Sequence, residues 1–528
     1  MALGVNDFGM ATKKVATATA TATATTVANT VALPYDPTYC LTTRGYAVAK
    51  SALSAADKEE LEKTLTVKAA VPRTYAGAVT PFKLFLDSPS RYYLPTAWAT
   101  QKYGDACHDG RPLGALLPSA LTFRGSLRSH QTEALEAYTK AKNNGIICLP
   151  CGYGKTFTGI AAASRIGRCF LIFVHKEFLA EQWESELKAL MPGIRIGRIQ
   201  GDRCDVGPDF DVAIAMIQTV CSRVFPVTTF GRFGFAIFDE VHHLAAEHFS
   251  QVLQRVQCRA MLGLTATPIR ADGLSKVFSW FLGPICYQIK RRPADSTVLV
   301  ESFRYTCDVA EYARVPVNWK GETVRARMIN QIAEYLPRTQ ALVDWTAPSL
   351  KDPARKLLVL SDRREHLVVL ESLYKAAGIA SVAYYVGGMK QKDLDKATEA
   401  QVLLGTFAMA SEGMNVPTLN AVLLATPKSN IEQSVGRILR VKPEDRTIQP
   451  IIFDIVDATF NECSGQWNRR RKFYKDCGYD IRWRSEATSG EAAPVVNTLD
   501  EGTEVVVEDE KEADAKEEPK GHGFVLDE

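Results

Sequence analysis

The chain has 528 residues, 46% of them hydrophobic and 23% charged, which fits a folded protein of about three domains at ~150 residues each. No apolar run reaches the ~18 residues of a membrane-spanning helix, so no membrane span or membrane partner is predicted. The net charge of +3 hides an asymmetry, because residues 500–528 hold twelve acids and three lysines and the rest of the chain carries +12. A basic body with an acidic tail is typical of proteins that bind polyanions.

The twelve cysteines do not form a metal-binding pattern. The C-x-x-C pair Cys148 and Cys151 has no second pair to complete a tetrahedral zinc site. The spacing of the other cysteines gives no support to a four-cysteine iron–sulfur insert. We interpret all of them as thiols of an intracellular, reducing compartment, the nucleus or the cytoplasm.

The N-terminal part of the chain divides into two segments. Residues 1–32 are rich in Ala and Thr, bury too little surface to offset the entropy of ordering, and are predicted to be a disordered leader. A mitochondrial presequence is the alternative, although the segment has no arginine. Residues 33–117 mix short apolar runs with Pro and Gly and are predicted to form a small N-terminal domain of unknown function.

Residues 118–290 alternate short apolar runs with helical patterns. The runs are apolar throughout, as expected of strands that helices cover on both faces. They are Gly145–Leu149, Phe170–Val174, Val212–Met216, Phe235–Phe238 and Met261–Leu264. Helical patterns between them, at Phe157–Ser164 and Phe178–Leu190, predict a doubly wound α/β domain with a parallel sheet.

The same alternation returns in residues 291–484, after a connection placed at Pro284–Pro293. Its apolar runs are Leu357–Leu360, Val382–Tyr385, Gln401–Gly405, Ala421–Ala425 and Ile451–Ile455. Two α/β halves of similar size predict a bilobal protein. The hydrophobic pattern then stops, and residues 485–528 are predicted to be a disordered acidic tail.

The last segment of the second half, Trp467–Arg484, interleaves basic and aromatic residues. We interpret it as the final helix of that half, with aromatic side chains packed inward and arginines in solvent. The alternative is a surface that follows a phosphate backbone and stacks on bases.

The strongest local motif is Leu149-Pro-Cys-Gly-Tyr-Gly-Lys-Thr156, between a predicted strand and a predicted helix. Gly152 and Gly154 permit a loop whose N–H groups face a phosphate, and the helix N-terminus favours the same negative charge. Lys155 is predicted to contact the β- and γ-phosphates of ATP, and the Thr156 hydroxyl to bind Mg²⁺. Leu149 departs from the pattern, which has Gly there. The alternative is an ordinary strand-to-helix turn.

A second motif, Asp239-Glu-Val-His-His243, follows the predicted strand Phe235–Phe238. In an open parallel sheet both motifs face one crevice beyond the carboxyl ends of the strands. Asp239 is predicted to hold Mg²⁺ and Glu240 to polarise the attacking water. Two solvated acids at a strand end are the alternative. The adjacent histidines point to different faces and would chelate zinc poorly.

Seven further segments complete an ordered series. They are Leu127-Arg-Ser-His-Gln131, Phe173-Val-His-Lys176 with Gln182-Trp183, Ile217-Gln-Thr219, Thr265-Ala-Thr267-Pro, Leu360-Ser-Asp-Arg363 with Gly405-Thr406, Ser411-Glu-Gly-Met-Asn415-Val-Pro, and Gln433-x-x-Gly-Arg437-x-x-Arg440. The series, from about Arg124 to Ile455, resembles that of superfamily 2 helicases of the DExH type. This resemblance implies two RecA-like lobes that hydrolyse ATP with Mg²⁺ and step along a nucleic acid.

The resemblance also implies roles for individual residues. In the first half these are Gln131 as adenine contact, His175, Gln218 and Thr219 as nucleic-acid contacts, and His242, Thr265 and Thr267 as residues that couple hydrolysis to movement. In the second half they are Arg363 and Thr406 as nucleic-acid contacts, Gln433 as nucleotide contact, and Arg437 and Arg440 as arginine fingers. Asn415 replaces the Asp that many relatives place near the ribose.

The arginine fingers predict how hydrolysis is controlled. Transfer of the γ-phosphoryl group leaves charge that a second-lobe arginine can meet only when the lobes close, a contribution of roughly 10³–10⁵ in rate. Hydrolysis then depends on closure, which bound nucleic acid favours. In isolation, Gly-Arg-x-x-Arg would be read as a solvated helix face.

Narrower resemblances bear on the polymer. Thr265–Gly273 resembles the branch shared by the xeroderma group B repair helicase and type I restriction translocases. Phe82–Leu86, Tyr93–Trp98, Lys102–Gly104 and Phe281–Ile285 resemble transcript-release DNA helicases of large nucleocytoplasmic DNA viruses. They imply DNA rather than RNA, 3′-to-5′ movement, transcription or repair machinery as partner, and a host cell or virion as location.

Two other functions remain open at this point. An RNA helicase has the same ATPase chemistry, and contacts in this architecture go mainly to phosphates that both polymers share. A non-catalytic nucleic-acid-binding scaffold belongs to another class. The intact Lys155, Asp239, Glu240, Arg437 and Arg440 argue against it.

Overall fold

The computed structural model describes residues 38–68, 80–226, 228–242, 247–268, 273–290, 294–412, 414, 416–441 and 443–488. The predicted leader, His243, residues 269–272, Asn415 and residues 489–528 of the predicted tail lie outside these ranges. None of the described helices is long and apolar enough to cross a bilayer.

The N-terminal domain contains a five-stranded sheet in the order β5-β6-β2-β1-β7 and a separate β3-β4 pair. Helix α1 begins after Ser54, whose hydroxyl and Asp57 form a reciprocal capping box. The elements are β1 (Tyr39–Thr42), β2 (Gly45–Ala49), α1 (Ala55–Leu65), β3 (Thr66–Val67), β4 (Phe82–Lys83), β5 (Leu86–Asp87), β6 (Arg91–Leu94), α2 (Thr96–Tyr103) and β7 (His108–Asp109).

Lobe 1, residues 118–290, is built on an eight-stranded sheet in the order β11-β10-β12-β9-β13-β14-β8-β15. All neighbouring strands are parallel except β10 and β11. The elements are α3 (Ser129–Lys140), β8 (Asn144–Cys148), α4 (Lys155–Ile166), β9 (Phe170–Val174), α5 (Glu177–Leu190), β10 (Ile196–Gln200), β11 (Arg203–Cys204), β12 (Val212–Met216), α6 (Ile217–Ser222), β13 (Phe235–Asp239), α7 (Glu247–Arg255), β14 (Ala260–Thr265), α8 (Ser275–Leu282) and β15 (Ile285–Gln288).

Lobe 2, residues 294–488, has a seven-stranded, fully parallel sheet in the order β18-β19-β17-β20-β21-β16-β22. The elements are β16 (Leu299–Thr306), α9 (Ala310–Ala313), α10 (Arg325–Glu334), α11 (Leu336–Thr346), β17 (Leu357–Ser361), α12 (Arg364–Ala376), β18 (Val382–Tyr385), α13 (Gln391–Ala397), β19 (Val402–Thr406), α14 (Phe407–Glu412), β20 (Ala421–Leu424), α15 (Glu432–Val435), β21 (Ile451–Asp457), α16 (Asn461–Asp476) and β22 (Asp480–Thr488).

Each large sheet has a hydrophobic core on both faces. One core of lobe 1 continues into the N-terminal domain. Polar contacts join the same two parts, because the guanidinium of Arg111 donates to the carbonyl oxygen of Cys258 (2.9 Å) and Thr96 donates to Gln257 (2.9 Å). The N-terminal domain is therefore packed firmly on lobe 1.

The structure confirms the two parallel α/β halves and corrects three details. Residues Ile285–Gln288 of the predicted connection form β15, which pairs with β8. The predicted final helix is α16, which ends at Asp476, and β22 follows it as an edge strand that extends to Thr488. Trp467 and Tyr474 pack inward as expected, but Arg470 is also buried, at 2% exposure.

Candidate nucleotide and nucleic-acid site

The phosphate loop, residues 149–154, connects β8 to α4 in lobe 1. Gly152 and Gly154 have φ angles of 87° and 77°, which glycine adopts without steric cost. A Cβ atom on Gly154 would overlap Nε2 of Gln131, so a larger residue there would displace the amide of Gln131. Helix α4 begins at Lys155, and its N-terminal N–H groups therefore border the loop.

Leu149, the departure from the usual glycine, is the first residue after β8 and precedes the turn of the loop. Its side chain is buried in the core of lobe 1. Its backbone N–H donates to the carbonyl oxygen of Thr265 at 3.0 Å. Its φ is not in the left-handed region, so the backbone does not require glycine at this position.

Lys155, Asp239 and Glu240 come together between the phosphate loop and the carboxyl end of β13. The ammonium group of Lys155 forms an ion pair and hydrogen bond with Oε1 of Glu240. Burial alone would lower the pKa of Lys155, but the charges of Glu240 and Asp239 outweigh it and raise that pKa. Lys155 is thus held as a cation, as predicted for a phosphate contact.

Asp239 is 6% exposed, and its carboxylate is fixed by two hydrogen bonds. Oδ2 accepts from the indole Nε1 of Trp183 (2.9 Å), and Oδ1 accepts from the backbone N–H of Glu240 (3.0 Å). Burial and the charge of Glu240 raise the pKa of Asp239, while Lys155 and the Trp183 hydrogen bond oppose the rise. Glu240 has φ 48°, an uncommon conformation for a non-glycine residue that turns the chain at the strand end.

Trp183 positions Asp239, a role that the sequence did not predict. It belongs to the same motif as His175, which is predicted to contact nucleic acid, yet its side chain is 1% exposed and its indole N–H donates to Asp239. The available signal was the apolar face of α5, on which Trp183 lies with Leu179 and Leu187. That pattern predicts burial but not the hydrogen bond to Asp239.

The three predicted coupling residues form one hydrogen-bonded chain at the ends of β13 and β14. Nδ1 of His242 lies 3.0 Å from Oγ1 of Thr265, and Oγ1 of Thr265 accepts from the backbone N–H of Thr267 at 3.1 Å. His242 Nδ1 also lies 3.4 Å from Oε2 of Glu240. The predicted water-polarising residue therefore lies next to this chain.

Gln131 supports the phosphate loop in this structure. Its Nε2 donates to the carbonyl oxygens of Tyr153 (3.2 Å) and Gly154 (3.4 Å), and its Oε1 accepts from the backbone N–H of Arg128 (2.9 Å). The side chain is 3% exposed. A contact with adenine stays a prediction, whereas the support of the loop is visible.

The predicted nucleic-acid contacts of lobe 1 lie beside one another but differ in exposure. Gln218 is exposed, and its Nε2 donates to the carbonyl oxygen of His175 at 2.7 Å. His175 is 7% exposed, and burial lowers the pKa of its ring. Thr219 is also buried, and its hydroxyl accepts from the backbone N–H of Gly201 (3.1 Å). Of these three residues, only Gln218 has an exposed polar side chain that is accessible to a nucleic-acid strand.

The predicted nucleic-acid contacts of lobe 2 follow β17 and β19. Arg363 donates from Nη2 to the carbonyl oxygen of Ala326 (3.1 Å) and from Nε to the side chain of Asn330. These bonds fix it against α10. Thr406 is half-buried, and its hydroxyl accepts from the backbone N–H of Met409 at 3.4 Å. Both lie at the carboxyl edge of the sheet.

The two predicted arginine fingers are docked on backbone carbonyls of their own lobe. Arg437, 9% exposed, donates to Ala410 (2.6 Å) and Met414 (3.0 Å), and Arg440 donates to Met414 (2.7 Å). Burial and the neighbouring Arg437 lower the pKa of Arg440. Half-buried Gln433 lies on α15, which precedes both arginines in the chain.

Comparison with known proteins agrees with this site. Residues 124–270, from the start of lobe 1 to the coupling residues, match the family described as "Type III restriction enzyme, res subunit". The chain is 26% identical over 363 residues to "Putative ATP-dependent RNA helicase QP509L" of African swine fever virus, covering 63% of this chain and 69% of that one. It is 36% identical over 171 residues to "DNA 3'-5' helicase XPB" of Kineococcus radiotolerans, covering 31% and 30%.

A further relative spans nearly the whole of both proteins. It is "Putative ATP-dependent RNA helicase L396" of Acanthamoeba polyphaga mimivirus, 30% identical over 454 residues, which are 84% of this chain and 86% of that one. The order of the motifs and the two parallel sheets fit this likeness. The protein belongs to the superfamily 2 helicases and is an ATP-dependent helicase.

Proposed function

We propose that the protein is a 3′-to-5′ DNA helicase whose ATP site is built in lobe 1 and completed by lobe 2. The catalytic part of this proposal rests on the contact between Lys155 and Glu240 beside Asp239. It brings the predicted phosphate ligand, the predicted water-polarising group and the predicted metal ligand into one cluster.

Lobe 1 supplies the groups that bind ATP. The phosphates replace Glu240 as the partner of Lys155, because they carry more negative charge and face the same loop. Glu240 is then available to orient the attacking water. The chain from Glu240 through His242 to Thr265 and Thr267 offers a route by which loss of the γ-phosphate reaches the end of β14.

The donor set near Lys155 fits Mg²⁺. Thr156 in the first turn of α4 and Asp239 offer a hydroxyl and a carboxylate oxygen, the ligand types that this ion prefers. The carboxylate of Asp239 is already oriented by Trp183. Mg²⁺ bound there supplies positive charge that offsets the phosphates of ATP.

Lobe 2 supplies Arg440 when the lobes close on the nucleotide. Arg440 is half-buried, and its guanidinium donates to the carbonyl oxygen of Met414. Arg437 is more deeply buried and holds the segment between Ala410 and Met414. We therefore assign the finger role to Arg440 and a positioning role to Arg437.

The preference for DNA and the 3′-to-5′ polarity are supported by the likeness to XPB, whose name states both. Transcription or repair machinery is the partner class that we propose, in an intracellular, reducing compartment. An RNA helicase is the second candidate, because the names of the mimivirus and African swine fever virus relatives state RNA.

The test compares ATP hydrolysis with single-stranded DNA, duplex DNA and RNA at matched salt, followed by unwinding of duplexes with 3′ or 5′ overhangs. We expect strongest stimulation by DNA and unwinding from a 3′ overhang. Stimulation by RNA alone would replace the proposal with the RNA helicase. Unwinding only from a 5′ overhang would overturn the polarity.

A further inference from the structure

An exposed tryptophan stands at the tip of a hairpin in lobe 2 that none of the helicase motifs includes. Residues 315–324 connect α9 to α10, and Trp319 is 88% exposed. Val315 and Val317 are also exposed, at 39% and 49%. Val315 and Val317 lie along the first arm of the hairpin and Trp319 lies in its turn, and we call these three exposed apolar residues the apolar ridge. We call residues 315–324 the Trp319 hairpin.

The hairpin is rigid although its ridge faces solvent. Val317 and Thr323 form an antiparallel bridge, and the N–H of Val324 donates to the carbonyl oxygen of Pro316 at 2.7 Å. At the tip, Oδ1 of Asn318 accepts from the backbone N–H groups of Lys320 (2.9 Å) and Glu322 (3.0 Å). The side chain of Trp319 contributes almost nothing to the core, because it is held on a fixed turn and is 88% exposed. Its indole ring is therefore accessible to a ligand.

The position of the hairpin relates it to the path of the nucleic acid. Strands β16 and β17 belong to one parallel sheet, so the hairpin after β16 and Arg363 after β17 leave from the same edge. Arg363 donates to Ala326 and Asn330 of α10, the helix that begins where the hairpin ends. The C-terminal end of the hairpin therefore lies close to Arg363, which is predicted to contact the nucleic-acid backbone.

The charge around the ridge favours a polyanion. Residues 314–327 contain four cations and one acid, and all five side chains are exposed. These residues are Arg314, Lys320, Glu322, Arg325 and Arg327. The ammonium group of Lys320 lies 4.8 Å from the centre of the Trp319 ring. An aromatic ring with one cation beside it and three more exposed cations in the same segment suits a base with its phosphates, since stacking and charge act together.

We propose that the Trp319 hairpin is a wedge at which Trp319 stacks on a base where the duplex opens. The inference rests on the helicase activity but not on the choice between DNA and RNA. The excess of four cations over one acid in residues 314–327 favours a polyanion as the occupant, because phosphates attract these side chains whatever the base sequence. Stacking on the first unpaired base keeps that base from pairing again and so assists unwinding without entering the ATP site.

The test uses the full chain on the polymer and overhang that the wild-type protein unwinds best, so a wrong polymer or polarity is detected first. The variants are Trp319→Ala and Trp319→Phe, with Val368→Ala as control, an exposed apolar residue (54%) on α12 of the same lobe. The measurements are the unwinding rate of a forked duplex, ATP hydrolysis with single strands, and quenching of 2-aminopurine placed at the fork.

We expect Trp319→Ala to slow unwinding by at least about tenfold, the scale of one base–aromatic stacking contact. Quenching at the fork should disappear while hydrolysis with single strands is retained, and Trp319→Phe should recover much of both losses. If Trp319→Ala unwinds the fork at the wild-type rate, the wedge proposal is wrong, even if that variant no longer binds a protein partner. Equal loss of unwinding and of single-strand-stimulated hydrolysis also overturns it, because Trp319 would then act on the track and not at the fork.

Discussion

In lobe 1 a buried carboxylate at the end of β13 lies beside the phosphate loop, whereas in lobe 2 two buried carboxylates of β21 are each paired with a buried arginine. Asp239 ends β13 and is held by Trp183. In β21, Asp457 is paired with Arg338 (2.9 Å) and Asp454 with Arg470 (2.7 Å), and all four side chains are at most 2% exposed.

The two arrangements differ in whether their charged groups can exchange one partner for another. Asp454 and Asp457 each also accept a tyrosine hydroxyl, from Tyr474 and Tyr312 at 2.7 Å, so these pairs are closed clusters. Lys155 and Glu240 are 14% exposed and face a loop that a ligand can enter. The charged groups of lobe 1 can thus change partners when ATP binds. The buried ion pairs of lobe 2 instead stabilise the sheet, and Arg440 lies on the segment that connects β20 to β21 of that sheet.

The largest effect is expected from removing the exchangeable charges of lobe 1. Lys155→Ala should abolish ATP hydrolysis, because the phosphates lose their cation. Glu240→Gln should bind ATP and stall turnover, because the water is no longer polarised. Equilibrium nucleotide binding beside steady-state hydrolysis separates the two, and hydrolysis at the wild-type rate by Glu240→Gln would show that the water-orienting residue is misassigned.

In lobe 2 the corresponding change should affect stability rather than binding. Arg338→Ala leaves Asp457 buried and uncompensated and should destabilise lobe 2 by about 3–5 kcal/mol. The double variant Arg338→Met with Asp457→Leu should lose much less, since no charge remains buried. Equilibrium urea unfolding measures both, and a loss below about 1 kcal/mol for Arg338→Ala would mean that the pair is dispensable.

Trp183→Phe sharpens the comparison through pH. The indole N–H lowers the pKa of Asp239 against the opposing effects of burial and Glu240, so its removal raises that pKa further. The protonated carboxyl cannot hold a cation, and the acid limb of the hydrolysis profile should move to higher pH. We also expect about a tenfold slower turnover near neutrality, the size of one hydrogen bond to a charged group.

A matched control exists in lobe 2. The Nε1 of Trp345 donates to Oε1 of Glu301, so Trp345→Phe removes the same type of hydrogen bond away from the nucleotide. Its pH profile should equal that of the wild type. Equal shifts in the two variants would indicate a general effect of stability and not of Asp239.

The smallest effect concerns the tail. Removal of residues 489–528, which leaves β22 intact, should strengthen non-specific DNA binding at low salt, because the acidic residues no longer compete for the basic body. The gain should shrink as salt rises. A tail of equal length with Asn and Gln for its acids is the control, and the account of the tail fails if it binds DNA like the wild type.

The predicted strands are continuous apolar runs, and the predicted bounds of β9, β12 and β18 agree with the structure. In the two lobes, strands β10, β11, β15, β16 and β22 were not predicted. Strand β16 carries Glu301 and Arg304 among its apolar residues, and β22 is an edge strand with alternating polar residues. A search for continuous apolar runs cannot detect such strands.

For the site, local motifs predicted that Lys155 and the Asp239–Glu240 pair face one crevice, and the structure brings them together. The hydrogen bonds that join His242, Thr265 and Thr267 were not predicted. They could not show that Trp183 binds Asp239 or that Arg470 is buried against Asp454. Both pairs depend on which helix packs on which strand. An arginine in a basic segment is exposed far more often than it is paired inside.

The central claim is that lobe 1 holds the nucleotide and Arg440 of lobe 2 completes the site only on closure. The direct measurement is ATP hydrolysis by Arg440→Ala with and without DNA, beside nucleotide binding and DNA binding by anisotropy. We predict unchanged binding of both ligands and a loss of roughly 10³–10⁵ in DNA-stimulated turnover. DNA-stimulated hydrolysis near the wild-type rate would contradict the account.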